Sequence, residues 1–218
     1  MKISLILISA LLIATSALAN DVILITAFEP FGGSFVNQSR SVGEALTRII
    51  KAKGINGNSL DTQLCILPVV YDKGAIVAEK CYQAMTRKPK VVLSLGEGGC
   101  SINLETQARN WDSDGPDNDG NDRTGSVIIA GDPEFFALGF PIDKMLSLVP
   151  TAYSSRVVRS TDMGGYVCNN TAFNLGEYFK NEPTTYSFIH VPNSDCGSAT
   201  KNAETNAQII AAMLGAVL

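Results

Sequence analysis

The residues best suited to covalent chemistry are a cysteine, Cys168, and the one histidine of the chain, His190. Cys168 follows Gly164 and Gly165, which allow a tight turn, and it precedes a predicted helix over residues 170–179. A thiol at a helix N-terminus lies near unpaired N–H groups, and these favour the thiolate that attacks carbonyl carbons. Because the helix contributes only about 0.3–1 kcal/mol to an anion, a neighbouring base is needed, and His190 carries the available imidazole.

A carboxylate, Glu105, could complete a triad with these two side chains. Taken singly, a lone cysteine or histidine in an apolar setting is more often a core residue, and Glu105 is an ordinary strand carboxylate. Cys168 and His190 each lie at the junction of a loop with a predicted element, which raises the odds of a functional role. A carboxylate bonded to the imidazole would orient it. The three residue types together therefore favour nucleophilic catalysis by a thiol.

Two other segments match ligand-binding motifs only in part. Residues 96–101 follow a predicted strand as a dinucleotide-binding loop would, but the last glycine of that motif is missing and a strand-like stretch follows. Residues 112–122 are rich in Asp and Asn, yet an EF-hand alignment places Asp122 where glycine is required, so a solvated loop is favoured over a calcium site. The sequence has no serine nucleophile elbow and no histidine-rich metal site. We expect neither a metal nor a cofactor.

The composition is that of a globular, acidic protein. The 218 residues are 17% charged and 45% hydrophobic, which suits one domain with a sizeable core. The net charge is −4 without a basic cluster. This balance argues against nucleic acid or an anionic membrane surface as a partner.

Residues 1–19 have the pattern of a secretory signal peptide. Lys2 precedes an apolar run over residues 3–13, and Ala17 and Ala19 form a small-residue cleavage site. The run is shorter than the ~20 residues that a bilayer-spanning helix needs. We therefore expect residues 20–218 to form a single domain that is periplasmic or secreted and has no membrane attachment after cleavage.

Hydrophobic periodicity predicts alternating strands and helices. Predicted strands cover residues 22–27, 60–70, 90–95, 101–106, 156–160 and 186–191, and predicted helices cover residues 39–50, 72–85, 141–148, 170–179 and 198–218. This alternation predicts an α/β fold with a mainly parallel central sheet and helices on both faces. The loops that carry the candidate residues all follow strands, so we expect them at the carboxyl edge of the sheet, where open α/β folds place their sites.

Four motifs resemble the pyroglutamyl peptidase I (pyrrolidone-carboxylate peptidase) family. They occur in the family's order along almost the whole chain after residue 22, and they are residues 28–33 with Asn37, residues 116–120, residues 165–169 and residues 188–192. The resemblance implies a three-layer α/β/α sandwich and a cysteine peptidase that removes N-terminal pyroglutamate from small peptides through a thioester. Self-association is left open.

The resemblance also implies a role for each motif residue. Cys168 would be the nucleophile, His190 the acid–base and Glu105 the orienting carboxylate, with the Cys168 N–H as a candidate oxyanion donor. The residues implied in substrate binding are Phe28, Phe31, Asn37, Glu97, Tyr166 and Val167. The two phenylalanines would form a slot for the flat lactam ring, closed by Tyr166 and Val167. Because a Phe-x-x-Phe loop has no periodicity that buries both rings, we expect both to be site residues and not core.

The chain departs from the family pattern at several positions. Glu97 stands where the family usually has glutamine, Thr106 where an arginine follows the catalytic glutamate, and Tyr166 where the family has phenylalanine. A second family arginine is replaced within residues 113–115. Two alternatives stay open: a homologue that binds without turnover, and a cysteine amidohydrolase with a different amide substrate.

The remaining cysteines predict disulfides in an exported protein. With Cys168 set aside as a free nucleophile, four cysteines allow three connectivities. We predict Cys65–Cys81, between a strand and the helix that packs next on the sheet, and Cys100–Cys196, between two loops beside the site. The second bridge would also hold the loop after His190. The alternative is a signal that is never used and five reduced cysteines.

Overall fold

The computed structural model describes residues 21–218, so the predicted signal peptide, residues 1–19, lies outside the described residues. The strands are β1 (Val22–Phe28), β2 (Asp61–Leu67), β3 (Val91–Gly98), β4 (Ile102–Glu105), β5 (Gln107–Arg109), β6 (Phe135–Ala137), β7 (Val157–Ser160) and β8 (Thr185–Pro192). The helices are α1 (Gln38–Lys53), α2 (Lys73–Ala84), α3 (Ile142–Ser147), α4 (Val167–Phe179) and α5 (Ala203–Leu214), with a 3₁₀ helix at Thr151–Arg156. No helix in this part of the chain has the length and apolar character to span a membrane.

The central sheet lies between two helical layers, as the α/β/α expectation requires. Within residues 21–218 its strand order is β2-β1-β3-β8-β4-β7, and β5 pairs with β6 in a separate ribbon. Every residue of β1 is buried, as expected for a strand covered on both faces. One core cluster packs the sheet against α1, α3 and α5, and the other packs it against α2 and α4. The mainly parallel three-layer sandwich is confirmed.

Two strands run against the other four, which corrects one expectation. β4 pairs antiparallel with β8, whereas β4 and β7 are parallel to each other. The carboxyl ends of β4 and β7 therefore lie at the edge opposite to the carboxyl ends of β1, β3 and β8. Residues 161–166 must return along the sheet before α4 begins, so this loop is not simply a carboxyl-edge loop like the others.

Local hydrogen bonds explain why two helices begin where they do. Asn37 caps α1, because its Oδ1 accepts from the Ser39 N–H at 3.0 Å. The closing helix was predicted from residue 198, but α5 begins at Ala203 after the Asn202 side chain accepts from the Thr205 N–H at 2.8 Å. The residues before it instead form the turn that follows β8.

The disulfides of the structure are the two pairs named from the sequence. Cys65 of β2 is joined to Cys81 of α2, with 6.4 Å between the Cα atoms. Cys100 is joined to Cys196, with 5.5 Å between the Cα atoms, and it ties the loop after β3 to the turn after β8. Cys168 remains the free cysteine.

Candidate active site

Strands β8 and β4 bring His190 and Glu105 together. Asn103 of β4 is the register partner of His190, so Glu105, two residues further, projects from the same face of the sheet. His190 Nδ1 lies 2.9 Å from Glu105 Oε1. Glu105 has no exposed surface and His190 is 6% exposed, so this contact is shielded from solvent. The carboxylate therefore fixes the orientation of the imidazole.

Cys168 meets the imidazole from α4. It is the second residue of that helix, is half-buried, and its sulfur is close enough to His190 to act on the pKa of the imidazole. Because Nδ1 faces Glu105, Nε2 is the nitrogen left for the sulfur. As an N-terminal helix residue, Cys168 also has a backbone N–H without an acceptor inside the helix. The sulfur thus neighbours the imidazole and the imidazole neighbours the carboxylate, which is the order of a nucleophile, its base and an orienting group.

The surroundings of His190 favour its protonated form. Burial lowers the pKa of His190, but the neighbouring Cys168 sulfur, the hydrogen bond to Glu105 and the negative charge of both partners outweigh burial and raise the pKa to about 9. At neutral pH the imidazole consequently holds its proton. A positive imidazole beside the sulfur stabilises a thiolate and can later give its proton to a leaving nitrogen.

Two glycines of β3 make room for these side chains, and neither was predicted as part of the site. A Cβ at Gly96 would lie 2.7 Å from ring carbons of Phe188 and 2.8 Å from Cys168 Sγ. A Cβ at Gly98 would lie 3.0 Å from His190 Cβ. The Gly-x-Gly pattern at the end of β3, which is not a nucleotide motif, is the sequence signal for this close approach.

The turn that leads into α4 is held by the loop after residue 111. Gly164 has a φ of 78°, a conformation that favours glycine. The Gly165 N–H donates to Asp114 Oδ2 at 3.1 Å, and the Ser113 N–H donates to the Gly165 carbonyl at 2.9 Å. These bonds place Cys168 at the start of the helix.

A cavity of about 270 Å³ opens beside the sulfur. Its lining includes Cys168, His190 and the predicted binding residues Phe28, Phe31, Asn37, Glu97, Tyr166 and Val167. Glu105 lies behind His190 and does not line it. The lining also contains residues that the sequence did not indicate, which are Val69, Gly98, Gly99, Asn103, Asp162 and Met163. A mostly apolar cavity with a few polar groups suits a small ring with an amide.

The two predicted slot phenylalanines differ in their surroundings. Phe31 is half-buried and pairs with Tyr166 at 6.1 Å between ring centroids. Phe28 is 1% exposed, belongs to the core under α2 and α4, and packs against Phe188 at 6.4 Å. The expectation that both rings stand outside the core is wrong for Phe28, because β1 continues through this residue. Phe28 is a core residue whose ring also forms part of the cavity wall.

The polar side chains of Glu97 and Asn37, which line the cavity, form hydrogen bonds with backbone groups. Glu97 Oε2 accepts from the Gln38 N–H at the start of α1, and Oε1 accepts from the Ser194 N–H at 3.4 Å. Asn37 donates to the Glu29 carbonyl at 2.9 Å besides capping α1. In this chain the carboxylate at position 97 therefore joins α1 to the loop after His190.

Tyr166 connects the cavity to the acidic loop. Its hydroxyl donates to the Pro116 carbonyl at 3.0 Å, and its ring meets Tyr71 edge-on at 5.7 Å. Asp117, in the same loop, accepts from the backbone N–H groups of Tyr71, Asp119 and Asn121. Within residues 21–218, no three His, Cys, Asp or Glu side chains are grouped so that they could hold a metal ion.

A partly buried polar network fixes α4 just behind Cys168, and the sequence did not indicate it. Asn170 donates to Asp112 Oδ2 at 3.0 Å and to Asp72 Oδ1 at 3.2 Å. Arg123 lies 2.5 Å from Asp72 and 3.5 Å from Asp112. Burial raises the pKa of Asp112 to about 6, against the opposing effects of Asn170 and Arg123. The network joins the first turn of α4 to the start of α2.

Comparison with known proteins places this geometry beside one family. A family model described as pyroglutamyl peptidase matches residues 21–211. A pyrrolidone-carboxylate peptidase of Coprothermobacter proteolyticus is 32% identical over 176 residues, which cover 78% of this chain and 80% of the relative. One of Aliivibrio fischeri is 28% identical over 173 residues, which cover 78% of this chain and 77% of the relative.

Solved structures give the same result. The crystal structure of pyroglutamyl peptidase I from Bacillus amyloliquefaciens superposes with a TM-score of 0.76 at 26% identity. The match covers 91% of this chain and 98% of that one. The likeness therefore extends over nearly all the described residues, including every element that carries a candidate site residue.

Proposed function

The chain belongs to the pyroglutamyl peptidase family, and on that premise we propose that it hydrolyses the amide bond after an N-terminal pyroglutamyl residue with Cys168 as the nucleophile. One observation carries the assignment of residues: Cys168 and His190 lie next to each other in the wall of the aromatic cavity, and Glu105 is bonded to His190 from behind. A protein that binds without turnover does not need a nucleophile, a base and an orienting carboxylate in this arrangement. The chain is a hydrolase of the cysteine peptidase type.

The reaction follows from the order of the three groups. The thiolate of Cys168 attacks the acyl carbon of the pyroglutamyl residue, and the negative charge that develops on the carbonyl oxygen is stabilised by the Cys168 N–H. His190 gives its proton to the leaving nitrogen as the C–N bond breaks, which leaves a thioester on Sγ. A water molecule then attacks the thioester carbon while His190 takes its proton. The C–S bond breaks and pyroglutamate leaves.

The aromatic cavity explains the preference for a pyroglutamyl residue. Phe28, Phe31, Tyr166 and Val167 line the cavity together with Cys168. A five-membered lactam presents two flat apolar faces to such rings and has no positive charge that would need a partner. An N-terminal alanine or glutamate carries an ammonium group, and its transfer into this apolar slot would cost free energy.

We further propose that the protein works outside the cytoplasm. The signal-peptide pattern of residues 1–19 and the pairing of Cys65 with Cys81 and of Cys100 with Cys196 support this. Disulfides persist in oxidising compartments such as the periplasm and the extracellular space.

The test is release of a fluorophore from a pyroglutamyl amide by the purified mature chain, with alanyl and glutamyl amides as controls. Only the pyroglutamyl amide should be hydrolysed. Cys168→Ala should lower kcat by at least about 10³-fold, because it removes the attacking atom. Iodoacetamide should alkylate Cys168 and abolish turnover. Undiminished turnover in Cys168→Ala would end the proposal.

A further inference from the structure

Three neighbouring strands place a row of residues across the face of the sheet below the cavity. Gly96 of β3, His190 of β8 and Asn103 of β4 are successive register partners, so they lie side by side. Cys168 Sγ lies over Gly96, since a Cβ there would be 2.8 Å from the sulfur. Across the sheet the order is therefore sulfur, imidazole and the amide of Asn103.

The position of the aromatic slot shows along which side of the sulfur the substrate's leaving group must extend. Phe28 ends β1, which is the neighbour of β3 on the side away from β8. The aromatic slot consequently lies on one side of the sulfur, and His190 and Asn103 lie on the other. A substrate whose ring occupies the slot and whose acyl carbon meets Cys168 must extend its leaving group over His190 towards Asn103.

The amide of Asn103 is oriented and has hydrogen-bonding capacity to spare. Its Oδ1 accepts from Ser101 Oγ at 2.6 Å, and this bond holds the amide in one orientation with Nδ2 on the opposite side. Its Nδ2 has no protein acceptor within residues 21–218, although Asn103 lines the cavity and is half-buried. A primary amide nitrogen carries two N–H donors, and their natural complement is a carbonyl oxygen.

We propose that Asn103 Nδ2 donates a hydrogen bond to the backbone carbonyl oxygen of the first residue of the leaving peptide. Asn103 is then a specificity-determining residue that favours peptides over amides whose leaving group has no such carbonyl. The inference rests on the proposed pyroglutamyl peptidase activity, because that activity fixes which end of the substrate occupies the slot.

The experiment compares two substrates of purified wild type and Asn103→Ala. Pyroglutamyl-alanine amide has the carbonyl after the scissile bond, and pyroglutamyl-aminomethylcoumarin has an aromatic ring in its place. A hydrogen bond of ordinary net strength predicts that kcat/KM for the peptide falls about 3- to 10-fold, whereas kcat/KM for the coumarin amide changes less than about 2-fold. Asn181→Ala is the matched control, because Asn181 is exposed and lies in the turn after α4.

Ser101→Ala supplies a second, milder variant that leaves Asn103 in place. It removes the hydroxyl that orients the amide, so it should lower kcat/KM for the peptide in the same direction and by less. If thermal denaturation shows that Asn103→Ala is not folded, the comparison of the two substrates is made with Ser101→Ala instead. Equal losses on both substrates, or no loss on the peptide, would overturn the role of Asn103. Wild type that cleaves neither substrate would instead refute the proposed function.

Discussion

A single methyl group at Gly96 should inactivate the enzyme without unfolding it. In Gly96→Ala the new Cβ would stand 2.7 Å from two carbons of Phe188 and 2.8 Å from Cys168 Sγ. Comfortable contacts between carbon atoms lie at about 3.5–4.0 Å, so something must move by several tenths of an ångström or more. The φ of Gly96 is not in the positive range, so the effect comes from this contact and not from backbone strain.

Both Phe188 and the sulfur must give way, and the sulfur is the freer of the two. Phe188 has no exposed surface and is packed in the core, whereas Cys168 is half-buried and faces the cavity. A displacement near 1 Å at a reacting atom costs about 10²-fold in rate. Overpacking a core costs about 1–3 kcal/mol, which corresponds to a Tm lower by about 2–12 °C in a domain of this size.

The assay separates the two effects. We would measure kcat/KM on a pyroglutamyl amide at 25 °C, Tm by calorimetry, and the rate at which iodoacetamide alkylates Cys168. Gly197→Ala is the matched control, because a Cβ at Gly197 meets nothing within 4 Å and its φ is not positive. Gly96→Ala should lose about 10²-fold in kcat/KM while still melting cooperatively. Wild-type kcat/KM in this variant would show that the sulfur does not lie against β3.

Two further predictions concern pH and the cysteines. The free energy of unfolding should fall as pH rises from about 6.5, where unfolded histidine titrates, to about 9, where folded His190 does, because the folded state binds the extra proton. The stabilisation by His190 is fully present below that pH window. Urea melts of wild type and His190→Gln at several pH values check it, and an equal dependence of the free energy of unfolding on pH in the two proteins would contradict it. Non-reducing peptide mapping of the exported protein should find Cys65–Cys81, Cys100–Cys196 and a free thiol at Cys168. Five free thiols, or a bridge to Cys168, would refute this scheme.

Local patterns were enough to predict the layers of the fold. The buried run of β1 and the amphipathic pattern of α1 are properties of short segments, and they were visible in the sequence. The direction of β4 was not visible, because an apolar strand has the same alternation in either direction. Its partner β8 lies more than eighty residues away, and nothing local to β4 specifies that pairing.

The site residues likewise fall into those that local sequence patterns indicate and those that depend on distant strand pairing. Cys168 and His190 were found from their own surroundings, each at the end of an element, and the family motifs supplied the cavity residues. Gly96 and Asn103 were missed because their roles depend on register between strands that are distant in sequence. Phe28 was placed outside the core because the strand was expected to stop at residue 27, one residue before the end of β1.

Backbone contacts and a disulfide hold the loops around the triad in this chain. Ser113 and Asp114 bind the Gly165 backbone, and so fix the turn before the nucleophile. Glu97 and the Cys100–Cys196 bridge hold the loop after His190. The bridges also leave no second free thiol with which Cys168 could be oxidised to an intramolecular disulfide. A reactive cysteine is therefore compatible with an oxidising compartment in this chain, because the remaining four cysteines are already paired.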